Sequence, residues 1–349
     1  MMDSSKLLLT LTAICLSFSF ANAQDLSTPV GYMEAFSKAH GQMNATYMAY
    51  MSAAGHGKRA RKVEKLRLKT VETINETRIT ARGLGAYKGD NSLRESSVEY
   101  ITLVYHVFND DYAKIVNMEE IAEQSFDEMQ AYLLLQEATS RKLKEAADKM
   151  EEAEKAFAKK YDIQLIEGSS ELGEKMELTS KLTHYKNQMF LLFFKCNWQD
   201  GQLTKAMNNK NVNDIEQARS ALLKYAVEGL RDLDSLKHFN GDASLAQSCR
   251  QVLTFYRKMA ENDAPKLTDF FLKNENFEKI KKAFESKPAS KRTQADIDAY
   301  NKAVNEINDA ANAFNRINEQ VNKQKTQVLN NWEDTDKQFT DRNMPHYKG

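Results

Sequence analysis

The residues able to do chemistry are few and scattered. Six histidines stand at 40, 56, 106, 184, 238 and 346. None forms H-x-x-x-H, H-E-x-x-H or E-x-x-H, so the repeated E-x-x-H of helical di-metal sites is missing. No cysteine pair has zinc spacing. Met43, Met48 and Met51 could offer thioethers to copper(I), but at helical spacing they read as core filler. No G-x-S-x-G occurs, and neither Cys196 nor Cys249 has an evident histidine partner. Gly83-x-Gly85-x-x-x-Gly89 is glycine-rich but follows no strand, so it reads as turn chemistry rather than a phosphate loop. The sequence therefore calls for no cofactor, no metal and no catalytic residue.

Two segments are better suited to binding. Lys58, Arg59, Arg61, Lys62, Lys65, Arg67 and Lys69 form a basic run opposed only by Glu64. It opens a helix, where positive charge conflicts with the helix dipole. It is a solvated face or a patch for an anionic partner. Phe190, Leu191, Leu192, Phe193 and Phe194, with Trp198, form the most apolar stretch after the N-terminus. Five consecutive apolar residues cover every side of a helix, so several neighbours must bury it. It reads as packed core, with an apolar ligand pocket at Phe190, Phe193, Phe194 and Trp198 as the alternative.

The elements that position these residues are helices. Among 349 residues, Gly (13) and Pro (4) are scarce, against about 12% in average proteins, which favours long helices and few turns. Lys+Arg and Asp+Glu balance at 49 each, so no overall field attracts nucleic acid. The N-terminus reads as a secretory signal peptide. Lys6 precedes the apolar run Leu7 to Phe20, and Ala21-Asn22-Ala23 suits cleavage before Gln24. Cys15 follows Ile14, a poor context for lipid attachment. No later run is long enough to span a membrane.

One unit occurs twice. Gly89, Asp90, Ser92, Leu93 and Ser96 recur as Gly241, Asp242, Ser244, Leu245 and Ser248, all 152 residues on. Upstream, Val63, Leu66, Thr70, Ile74, Thr77, Ala81 and Leu84 trace a helix face, as do Ile215, Ala218, Leu222, Ala226, Gly229, Leu233 and Leu236. Further on, Ala153 to Phe157 aligns with Ala310 to Phe314 at an offset of 157, which predicts a small insertion near Pro288. The fold class is all-α, with two tandem four-helix-bundle-like repeats and a long C-terminal helix. The expected domains are a signal peptide (1–23), a first repeat (24–162), a linker (163–173) and a second repeat (174–349). Helices are expected near 30–54, 59–85, 92–117, 119–160, 176–206, 213–237, 244–272, 275–286 and 293–336.

Local chemistry explains the repeated positions. Gly89 and Gly241 are expected to end helices in the left-handed conformation. Ser92 and Ser244 then cap the next helices, with Glu95 and Gln247 completing capping boxes. Asp111 and Asp263 read as caps at a helix break, the second followed by Pro265. Cys196 and Cys249 should differ in height by about 20 Å at 1.5 Å per residue, too far for a disulfide. Two free, buried thiols are expected.

The signal peptide, the Gly89-Asp90 and Gly241-Asp242 turns and the flanking helices resemble a family of bacterial exported helical surface proteins of unknown function, named after a spirochaete locus. The resemblance implies an envelope or surface location and a helical fold, and supplies no catalytic residue. Together these readings predict a non-enzymatic exported protein, periplasmic or at the surface. It would bind an envelope protein, glycan or lipid, or act as a spacer.

Overall fold

A computed structural model describes residues 25–111, 125–165 and 170–347. The segment expected to be a signal peptide (1–23) lies outside the described residues. The described chain is helical, and its only β pairings are two isolated bridges, Tyr87 with Asp90 and Phe239 with Asp242. The helices are α1 (Pro29–Gly55), α2 (Ala60–Gly83), α3 (Ser92–His106), α4 (Phe126–Lys160), α5 (Glu171–Asn208), α6 (Val212–Ser235), α7 (Ser244–Lys258), α8 (Ala264–Glu285) and α9 (Gln294–Asn343). No described helix is long and apolar enough to cross a membrane.

Helix starts follow cap chemistry. The hydroxyls of Thr28, Ser125 and Ser170 accept the amides of Gly31, Glu128 and Gly173, satisfying donors that lack a helical partner. Thr293 and Asp296 form a reciprocal capping box at α9. A single π turn continues α3 (Val107–Asp111), and another joins α7 to α8 (Met259–Asp263). The expected break capped by Asp263 is therefore corrected. Asp263 has helical backbone and no side-chain cap bond, and Pro265 fits the first turn of α8, where its missing N–H costs nothing. The expected helices at 244–272 and 275–286 are instead α7 and α8, meeting at that π turn. The side chain of Asp111 lies outside the described ones.

Two large cores form. Tyr32, Phe36, Ile74, Ile101, Phe108 and Phe157 fill the first, among α1 to α4. Leu182, Met189, Leu222, Val252, Tyr256 and Phe339 fill the second, among α5, α6, α7 and α9. The two helix faces read from sequence bury their central residues. Thr70, Ile74, Thr77 and Ala81 are buried on α2, and Ile215, Leu222, Ala226 and Leu233 on α6. In the first core, ring centroids of Tyr32, Tyr87 and Phe157 lie 5.4 Å (Tyr32–Tyr87), 5.7 Å (Tyr32–Phe157) and 5.8 Å (Tyr87–Phe157) apart. In the second, Tyr185, Phe239 and Phe339 lie 5.7, 5.7 and 6.0 Å apart in the matching order.

The ring completing this second trio is Phe339, 182 residues after Phe157, whereas Phe314, expected to align with Phe157, packs on Phe270 and Phe271. α8 and the start of α9 form an antiparallel hairpin. Beyond Phe271 on α8 and before Ala303 on α9, none of its residues is fully buried. Its tip is held by Phe284 stacked on Tyr300 at 4.6 Å and by Arg292 over Phe284 at 4.4 Å.

Candidate functional site

The repeated turns are built differently from the expected caps. α2 ends at Gly83 and α6 at Ser235, several residues before the repeated glycines. Lys88 and Gly89 both have positive φ (50° and 85°), as do Asn240 and Gly241 (49° and 82°). Two such residues between bridged neighbours make a tight two-residue turn, and glycine serves there because it has no Cβ to clash. Gly89 and Gly241 therefore do not end helices. Nor do Ser92 and Ser244 cap them: each is the first helical residue. The carboxylates of Asp90 and Asp242 accept the backbone amides of Ser92 and Ser244, both at 2.9 Å.

The same carboxylates hold the last helices. Asp90 accepts from Lys160 Nζ at 2.7 Å and Tyr161 Oη at 3.0 Å. Asp242 accepts from Arg342 Nη2 and Asn343 Nδ2, both at 3.1 Å. The Lys160 bond, then those from Ser92, hold the Asp90 carboxyl well below the usual carboxylate range. Burial pushes Asp242 up, but bonds from Ser244, Asn343 and Arg342 outweigh it and bring it to about 2. Both groups are thus consumed by structure. Sequence reasoning saw both aspartates recur but gave the capping role to the neighbouring serines.

One pair has the look of a nucleophile and its base. His40 Nε2 lies 2.8 Å from Ser97 Oγ, and Tyr100 packs edge-on to the imidazole at 5.3 Å. Ser97 is completely buried, so no substrate carbonyl can reach its oxygen. Burial also lowers His40 to about 4, which makes it a poor base near neutrality. The nearby groove between α3 and α4 is lined by Ser96, Glu99, Tyr100, Lys142 and Glu145, not by Ser97. The pair is an internal hydrogen bond.

The second core carries its own polar cluster. Asp200, 4% exposed, pairs with Lys325. Tyr256 Oη donates to Asn197 at 2.9 Å. Burial pushes Asp200 up, while Lys325 pulls it down. Cys196 and Cys249 are both buried free thiols, each pushed up to about 12 by burial. Their spacing is less than expected. Cys249 Sγ faces the Met189 carbonyl at 3.8 Å, which puts it about 10 Å along α5 from Cys196. The reason is that α5 begins well before α7: Tyr185 already sits level with Phe239.

The aromatic segment is filled by protein. Phe194 packs with Met129 and Leu133 of α4, and Phe190 and Trp198 border that cluster. Phe190 stacks on Phe194 at 5.8 Å, and Phe193 on Trp332 of α9 at 4.9 Å. The segment thus joins α5 to α4 and α9, with Phe194 buried and Phe190, Phe193 and Trp198 half-buried. Met43 lies in the first core, while Met48 and Met344 flank Thr179 at 3.9 and 3.8 Å. Of the methionines considered for copper, Met43 and Met48 are buried in packing. Among the described residues no group of three His, Cys, Asp or Glu converges.

The basic run stays on the surface. Lys58, Arg59, Arg61, Lys62, Lys65 and Lys69 are all exposed. Glu64 is held by Arg67 at 2.8 Å. The start of α2 has no side-chain cap and no acidic residue in its first turn. Among the described residues no ion pair to these six side chains is seen. No family model, curated protein or solved structure matches the chain.

Proposed function

We propose that this chain is an exported, non-enzymatic helical module that acts by binding or spacing, made of two fused copies of one four-helix unit. In this reading α1 to α4 form one copy, and α5, α6, α7 and the C-terminal part of α9 form the other. The hairpin of α8 and early α9 is an insertion into the second. The observation that carries it is the recurrence of one construction. A two-residue turn, an aspartate holding the next helix start, a last-helix end held by that aspartate and a trio of rings all occur twice.

A non-enzymatic role is supported by where the reactive groups go. Asp90, Asp242, His40, Ser97 and Asp200 all have partners inside the fold, and the two thiols are buried. Export rests on the apolar N-terminus and its cleavage pattern. The test is N-terminal sequencing of the protein recovered from fractionated cells that make it. A chain beginning at Gln24 in the envelope or exported fraction is expected. A chain retaining Met1 in the cytoplasmic fraction would overturn the export reading.

A further inference from the structure

We propose that the first three turns of α2 seat this protein on an anionic lipid surface, with Leu68 entering the interface. The proposal rests on the binding reading above and names the partner class.

The geometry comes first. At 100° per residue, Arg61, Lys62, Lys65, Leu68 and Lys69 fall within about a third of the helix circumference, and Lys58 lies just before the helix start. All are exposed; Leu68, 54% exposed, sits at the edge of the arc beside Lys65, one turn from Glu64 on one side and from Glu72 on the other. Among the described residues no ion pair joins a carboxylate to these five cations; Glu64 is occupied by Arg67, and Glu72 borders the same groove. The uncapped amides of the α2 start add the positive end of the helix dipole to the same place. Glu72 and Glu76 lie further along the same face, so the cationic surface ends after Lys69 and contact is made by the N-terminal half.

The fold does not require this charge. On α6, the corresponding helix of the other copy, the positions of Arg61, Lys62, Lys65, Leu68 and Lys69 are held by Asn213, Asp214, Gln217, Ser220 and Ala221. There Asn211 caps the helix by accepting from the Asn213 and Asp214 amides. One copy carries a stabilising start, while the other keeps cations that oppose its own dipole. A surface that costs stability and has no partner within the fold fits a partner outside it.

The choice of lipid follows from Leu68. A soluble polyanion needs only the cations. A bilayer surface also accepts an apolar side chain among lysine stems whose charges reach the headgroups. The whole chain is neutral, so attraction depends on local cationic faces such as this one rather than on an overall field.

The experiment is co-sedimentation of the full mature chain with phosphatidylcholine vesicles, with and without phosphatidylglycerol. Binding only to the anionic vesicles, weakened by salt, is expected. Each cation near such a surface strengthens partitioning by about fivefold in low salt. The fourfold variant Arg61→Asn, Lys62→Asp, Lys65→Gln, Lys69→Ala should therefore bind more than about tenfold more weakly. Its thermal unfolding midpoint should not fall, which separates lost binding from lost fold. Leu68→Ser should weaken vesicle binding about threefold or more while leaving retention on dextran sulfate unchanged. Equal binding to neutral vesicles, or none to anionic ones, would overturn the proposal. So would an unaltered Leu68→Ser variant, since the site would then be one for soluble polyanions. None of these failures touches the export and binding reading, which the envelope fraction tests separately.

Discussion

Lys160 donates to Asp90 across 2.7 Å and ties the end of α4 to the turn that opens α3. Arg342 does the same for α9 through Asp242. In each case one carboxylate serves two helices, taking an orphan amide at the start of one and a charged side chain at the end of another. Asp90→Asn should therefore lose more than a surface ion pair would, about 1–2 kcal/mol. Asp242→Asn should cost a similar amount. Urea unfolding of the two variants at neutral pH measures both.

The same carboxylates set an acid limit. Their folded pKa values lie below the unfolded value near about 3.9. Their contribution is thus present in full above that value and is lost as pH falls, toward about 2 for Asp242 and lower still for Asp90. Stability of the Asp90→Asn, Asp242→Asn double variant should fall less steeply between pH 4 and about 2 than that of the parent. Parallel slopes would mean that the bonds to Lys160 and Arg342 do not hold in solution.

His40 acts at milder pH. Burial depresses it to about 4, below the unfolded value near about 6.5. The neutral imidazole is favoured in the fold, so its contribution is present above about 6.5 and is lost as pH falls toward about 4. An NMR titration should show the His40 ring changing state only near the lower value. His40→Gln, which can keep a bond to Ser97, should flatten the stability curve in that window.

Lys325 neutralises a buried acid. Lys325→Met strands Asp200 in the second core and should destabilise by about 3 kcal/mol, near the low end for broken buried pairs because Lys325 keeps some solvent contact. Asp200→Asn in the same background should recover most of that loss. A double-mutant cycle by urea unfolding reads the coupling.

The two thiols should be inert in the native protein. With both pushed up to about 12, little thiolate exists near neutrality. Reaction with a thiol reagent at pH 8 should be negligible before denaturant is added and stoichiometric for both afterwards. Fast labelling of the folded chain would show that the helices around Cys196 open readily.

Much of this arrangement is written in the local pattern of the chain. The α2 and α6 faces follow from spacings of three and four, because a helix returns to the same side at that interval. What the pattern does not hold is registry along a long helix. Phe314 and Phe339 are 25 residues apart, almost a whole seven turns at 3.6 residues each, so both present the same face and either could align with Phe157. Only the packing of Phe339 on Tyr185 and Phe239 separates them. The aspartate clamps were hidden for another reason. Lys160 lies 70 residues from Asp90 and Arg342 lies 100 from Asp242, so no window of sequence contains either pair. The π turns were missed as well, since they leave no change in composition. The exposure of the α2 cations, by contrast, follows from local charge alone, whereas Leu68 beside them is one apolar residue in a charged run and gives no signal of its own.

The most direct test of a non-enzymatic binding module is native mass spectrometry of the mature protein taken gently from the envelope fraction of the cells that make it. The account predicts the mass of the bare chain from Gln24 with both thiols free, alone or with a macromolecular companion. A stoichiometric metal or small organic ligand, released only on denaturation, would contradict it and would place the function in a pocket rather than on a surface.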